Sequence, residues 1–142
     1  MQTSLIGKAK ELEVASILVK NGLYVFFPLV DAGVDLVVTN EKASAFIPVQ
    51  VKYRASEPAL ALNQSDIARF VGTKVVLAYV IGTGKSQKTW FVPFQRWYDR
   101  SKDKKRRDGK VYVTISENEE WLRSYKDDAG VRNAFEELFC ED

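Results

Sequence analysis

Apolar and polar positions along residues 33–54 predict two strands of a hairpin, each interrupted by polar groups where a buried strand favours another valine. The first run, over residues 34–39, is broken by Asp35 directly after Gly33 and Val34. The second, over residues 45–53, is broken by Gln50 and Lys52, with Val49 and Val51 alternating between them. Strand side chains alternate faces, so Gln50 and Lys52 project to one side. The polar break at residues 39–44, with Asn40 and Glu41, closes the hairpin and sets Asp35 beside that pair. An acid, an amide and an ammonium then meet on a largely apolar sheet. Burying them costs several kcal/mol, of order 2–7 for each unpaired polar group, unless they pair with one another or hold a metal. A structural Asp–Lys pair with a hydrogen-bonded Gln accounts for these residues equally well by itself.

Periodicity organises the flanks. Residues 5–21 read as a helix stopped by Asn21-Gly22. At about 100° per residue, Gly7, Val14, Ala15 and Leu18 flank Glu11 on the face that packs on a sheet, while Glu13 turns towards Lys10 and Lys20. Ile6 and Ile17 fall on that more polar side. Residues 23–28 predict a first strand ended by Pro28, and residues 31–33 a turn into the next. Pro48 predicts a bulge or irregularity in the third strand. A polar turn and a helix over residues 65–71 follow, with Asp66 and Arg69 as surface neighbours. Residues 74–81 form a central apolar strand, and residues 89–92 pair back on it. Residues 82–86 (Gly-Thr-Gly-Lys-Ser) lack the spacing of a P-loop and read as a hairpin turn. A short aromatic segment over residues 94–98, a strand over 111–115, and a helix from Ser116 with a capping-box Glu119 complete the pattern. Residues 127–130 break that helix before a last amphipathic piece over 131–139. The order predicts a single α/β domain over residues 1–142 with a mixed sheet.

Composition narrows the chemistry. The chain has 142 residues, no histidine and one cysteine, Cys140. Histidine-based triads, histidine bases and histidine-held zinc are excluded. A lone cysteine forms no intrachain disulfide and suits a reducing, cytoplasmic setting. The longest apolar run, residues 75–81, is far short of a membrane span, and the first residues lack the apolar stretch of a signal peptide. Net charge is only +2, but residues 102–110 gather Lys104, Lys105, Arg106 and Arg107 in a predicted loop. Such a run is either solvated surface or a phosphate contact.

Glu11 in the first helix, Asp35, and Gln50-Val51-Lys52 together resemble the PD-(D/E)XK nuclease superfamily, with the small group I intron homing endonucleases most similar and the Holliday-junction resolvases next. The surrounding segments 7–11, 33–36 and 49–52 carry the same likeness, which covers about residues 5–95; residues 96–142 read as an α/β extension. The resemblance implies a restriction-endonuclease-like three-layer α/β/α core and a DNA endonuclease dependent on Mg²⁺, with Mn²⁺ as a substitute. It implies Asp35 as primary metal ligand, the Gln50 side chain and Val51 carbonyl as further ligands, and Glu11 acting through water or directly. Lys52 is implied as the group that stabilises charge at the phosphate, or that positions and helps deprotonate the attacking water. Most members carry Glu or Asp where this chain has Gln50. DNA is the implied partner, with a homodimer or homotetramer for cutting two strands. The aromatic residues Trp97, Tyr98, Trp121 and Tyr125 are candidates for that contact, with core packing as their competing use. A non-catalytic, nuclease-fold DNA-binding or complex-organising subunit is the alternative.

Overall fold

The computed structural model describes residues 3–30 and 33–140. Helix α1 (Thr3–Lys20) leads into strands β1 (Tyr24–Phe26), β2 (Leu36–Thr39) and β3 (Phe46–Arg54). Its end is chemically marked. Gly22 adopts φ 84°, Gly22 N–H donates to the Val19 carbonyl and Leu23 N–H reaches back to Leu18, which together close a glycine C-cap. Two of the three residues of the expected 31–33 turn lie outside the described residues.

β4 (Ala59–Asn63), α2 (Gln64–Phe70), β5 (Val76–Ile81) and β6 (Lys88–Pro93) follow, then α3 (Phe94–Ser101), β7 (Arg106–Arg107), β8 (Lys110–Thr114) and α4 (Asp127–Phe139). The main sheet runs β1-β2-β3-β5-β6. All its pairs are antiparallel except β3 with β5, and that parallel pair requires the crossover that β4 and α2 supply. β4, β8 and β7 form a second, three-stranded sheet. The central sheet is thus mixed and β5 is internal, as the apolar run predicts.

α1 lies on the β3 face that carries Tyr53, whose ring sits 4.7 Å from Lys10 Nζ. The Asn21 side chain ties the end of α1 to Asp128 at the start of α4. The other face of β3 and β5 meets α2, α3 and the small sheet: Tyr79 donates to the Glu57 carbonyl, and Trp97 Nε1 to the Leu60 carbonyl at 3.1 Å. Two outer layers therefore enclose the sheet, one helical and one of helices plus strands. Leu36, Ile47, Val49, Leu77, Phe91 and Phe135 fill the core between them.

Several expectations are revised. Pro48 makes no bulge: the β2–β3 register runs through Val37↔Pro48 without a break. The Val49 carbonyl faces β2, accepting from Asp35 N. Pro48 therefore faces β5, whose pairing begins only at Val49, and the missing N–H removes no ladder bond. Residues 59–63 form a strand rather than part of a polar turn. The basic loop is a hairpin, β7–β8, turning at Asp108 and Gly109 with φ 56° and 74°, the left-handed pair that a tight hairpin turn requires. Ser116 starts no α-helix. Its hydroxyl accepts from Asn118 N, and Glu120–Tyr125 is a 3₁₀ segment. Asp127 and Asp128 begin α4 instead of breaking a helix, in the first turn where acids complement the helix dipole. Trp97 and Tyr125 are buried, and Tyr98 and Trp121 are partly buried against the core.

Candidate active site

The site forms where β2 stops short of β3. The last β2–β3 pair is Leu36↔Val49, and one further step along that register sets Asp35 opposite Gln50. Beyond that point, among the described residues, β3 has no paired residue on its β2 side. The Asp35 carboxylate takes the place of one, accepting from Val51 N at 2.8 Å through Oδ2. Gly33, at φ 80°, brings the chain into this corner. A Cβ there would stand 3.1 Å from the Arg69 side chain of α2, so glycine lets α2 close on the loop that holds the acid.

Glu11 approaches from α1. It shares with Asp35 a depression of about 310 Å³, whose wall includes Lys8, Phe27, Pro28, Val30 and Val34. Lys8 Nζ is 2.9 Å from Glu11 Oε1. Glu13 points elsewhere, 3.2 Å from Lys10 and within hydrogen-bond reach of Gln87, as the helix phase predicts. Val14, Ala15 and Leu18, which flank Glu11 on the helix, are buried.

The electrostatics of Asp35 register this gathering. Burial is the largest influence and pushes its carboxyl above the ordinary carboxylate range. The Val51 N–H opposes that shift, Glu11 adds to it by repulsion, and Lys52 and Lys8 oppose it as nearby cations. Asp35 thus feels Glu11, Val51 and Lys52 at once. Gln50 adds an unusual feature: its Oε1 is buried with no hydrogen-bond donor. A buried acceptor without a partner is costly, about 1–3 kcal/mol, and a water or a cation from outside the chain meets it.

Among the described residues no three His, Cys, Asp or Glu side chains cluster as a metal site. The donors here are two carboxylates, the orphaned amide oxygen and backbone carbonyl oxygen. An all-oxygen set with an unsatisfied buried member suits a hard divalent cation.

Lys52 has a partner that the sequence does not announce. Its Nζ stands 3.8 Å from Asp66 Oδ2, and Asp66 Oδ1 accepts from Arg69 at 2.9 Å. Asp66 is buried, not a surface residue as expected. The Asn63 side chain caps α2 by accepting from Asp66 N at 2.8 Å, which fixes the carboxylate's place. Lys52, Asp66, Asn63, Tyr79 and Lys110 line a cleft of about 180 Å³. The capping pattern Asn63-Gln64-Ser65-Asp66 is legible in the sequence; the arrival of Lys52 above it depends on the fold.

The basic run borders this cleft. Arg106 donates to Gln64 at the start of α2, the Arg107 guanidinium lies 4.3 Å from the Tyr112 ring centroid, and Lys110 lines the cleft itself. Lys104 and Lys105 are exposed, and Lys104 lines a separate depression with Asp99, Asp103 and Trp121.

No family model matches the chain, and no curated protein matches it. Among solved structures, the chain is similar to Hjc, a Holliday junction resolvase from the archaeal hyperthermophile Archaeoglobus fulgidus. The TM-score is 0.53 at 19% identity, over 76% of this chain and 83% of that one. The fold is resolvase-like. Its mixed sheet and flanking helices are those the sequence leads one to expect. No helix among the described residues is long and apolar enough to cross a membrane.

Proposed function

We propose that this chain is a divalent-metal-dependent DNA endonuclease of the PD-(D/E)XK type, with its site at Glu11, Asp35, Gln50, Val51 and Lys52. One observation carries the reading: half-buried Asp35 lies opposite Gln50, whose buried amide oxygen lacks a donor, at the point where β3 loses its neighbour. Asp35, Glu11, Gln50 Oε1 and the Val51 carbonyl would hold Mg²⁺, or Mn²⁺ in its place. When bound, the ion supplies positive charge that polarises the phosphodiester.

The chain's own groups divide the remaining work. Asp35 is fixed by its bond from Val51 N and orients the acid side of the site. Glu11, tethered by Lys8, completes the negative pair on which the cation depends. Lys52 presents a compact ammonium that stabilises charge growing on the phosphate. Asp66 is a positioning residue: it holds that ammonium at the mouth of the cleft. Lys104, Lys105, Arg106 and Arg107, on the β7–β8 hairpin and the residues just before it, are the phosphate contacts of this reading. One site per chain cuts one strand, so cutting both strands at one place requires a homodimer or homotetramer.

A second reading, a nuclease-fold DNA-binding subunit without catalysis, draws on Gln50 standing where most of the resembled family has an acid. Plasmid nicking decides between them. Supercoiled DNA is expected to be nicked with Mg²⁺ and left intact with EDTA, and Lys52→Ala removes the activity. Binding without nicking under every metal condition supports the second reading.

A further inference from the structure

The acid depression has an apolar wall that the proposed chemistry does not use. Phe27, Pro28 and Val30 line it alongside Glu11 and Asp35. Phe27 is 43% exposed, Val30 75% and Leu29 fully exposed at 101%. Each is a large apolar side chain left in water on one short loop. Lys8 Nζ stands 5.4 Å from the Phe27 ring centroid and 2.9 Å from Glu11. The apolar wall and the charged floor thus belong to one site.

We infer that Phe27, Leu29 and Val30 form a wedge that contacts the faces of unstacked nucleobases next to the phosphate at Asp35. The inference rests on the nuclease reading and adds a substrate class to it. A phosphate at the acids carries its two neighbouring nucleotides with it, and an apolar wall gains nothing from anionic oxygens. It gains from base faces, which apolar wedges reach by entering a base step. A regular duplex hides those faces in its own stack. DNA with mismatched or unpaired bases exposes them at the smallest unstacking cost. A second copy of this chain is the competing occupant. Three side chains on one loop fall well short of the roughly 800 Å² per partner that a stable interface buries.

The test compares two DNAs of equal length and charge in EDTA, where nothing is cut. One is fully paired; the other carries a short bulge containing 2-aminopurine. Wild type is expected to bind the bulged DNA about 5- to 100-fold more tightly, from the value of stacking per base, and to change the 2-aminopurine fluorescence. The triple variant Phe27→Ser, Leu29→Ser, Val30→Ser changes only exposed positions. It is expected to bind both DNAs alike, with the salt dependence of wild type. Equal binding by wild type, a preference kept by the triple variant, or an equal loss on both DNAs overturns the wedge and leaves the nuclease reading standing. A change in sedimentation instead of base preference assigns the loop to a second copy and also overturns it. No binding to either DNA overturns both readings.

Discussion

Glu117 and Asp35 are both acids facing lysines, yet their surroundings move them in opposite directions. Glu117 lies on the surface between Lys88 at 2.6 Å and Lys126 at 2.8 Å. Hydrogen bonds from Lys126 and then Lys88 push its carboxyl down to about 2. Its needs are met within the chain. Asp35 is half-buried, has one backbone donor, and is driven upwards by burial, with an orphaned amide oxygen opposite. Charge gathered on a surface is met by neighbours and water and adds little. Charge gathered in a gap of the sheet persists unmet where something from outside completes it. That difference, rather than the presence of acids and lysines, sets the proposed site apart.

The largest expected effect breaks the comparison at its two ends. Asp35→Asn is expected to cut plasmid nicking by about 10³-fold or more, while Glu117→Gln leaves it unchanged. Comparable losses in both would erase the distinction. Within α1, Glu11→Gln is expected to reduce cleavage by about 10–100-fold and Glu13→Gln to leave it alone. Equal behaviour, or an essential Glu13, would put the helix phase in error. Asp66→Asn leaves Lys52 without its acid. A fall in kcat of about tenfold with little change in KM is expected, with partial rescue by Asp66→Glu and a stability loss of about 1–3 kcal/mol. A loss of stability alone, with kcat intact, would make Asp66 structural.

Two smaller effects sharpen the contrast. Neutralising Lys104, Lys105, Arg106 and Arg107 is expected to weaken DNA binding and flatten its dependence on log salt, by up to about 0.9 in slope per lost contact. An unchanged slope returns the hairpin to solvated surface. Stability against pH should then separate the two acids by sign. Asp35 has a raised folded value, so its favourable contribution is present below the ordinary 3.8 and is lost as pH rises through that raised value. Glu117 is the reverse: its contribution is present above 4.5 and is lost as pH falls towards about 2. Asp35→Asn should therefore raise the denaturation midpoint at neutral pH and lose that advantage in acid. Glu117→Gln should lower the midpoint slightly at neutral pH only. Shifts of the same sign in the two variants would refute this.

Local chemistry made the first half of the chain legible. The helix phase at Val14, Ala15 and Leu18 and the interruptions at Asp35, Gln50 and Lys52 each follow from a period of 3.6 or 2; the β2–β3 register leads Asp35 to Gln50, while Lys52 lines a separate cleft with Asp66. What was missed depends on distant partners. Leu60 and Leu62 alternate as a strand should, but their sheet is completed by β8, about fifty residues later in the chain. Asp66 reads as a surface acid at i,i+3 from Arg69 until β3 delivers Lys52 to it. Asp108-Gly109 was a hairpin signal hidden in a basic run. Around residues 116–130, capping and breaking rules conflict. Gly130 settles the packing there, because a Cβ would meet the Tyr125 carbonyl oxygen at 2.1 Å, so only glycine lets α4 start against the preceding 3₁₀ segment.

The central claim is that the Asp35 carboxylate and the orphaned Gln50 oxygen are completed by a hard cation. Calorimetric titration of the DNA-free chain with Mn²⁺ tests it without relying on cleavage. A saturable site is expected in wild type and in Glu117→Gln, weakened in Gln50→Leu and abolished in Asp35→Asn while circular dichroism shows the fold retained. The account is contradicted if wild type binds no Mn²⁺, or if Asp35→Asn binds it as tightly as wild type does.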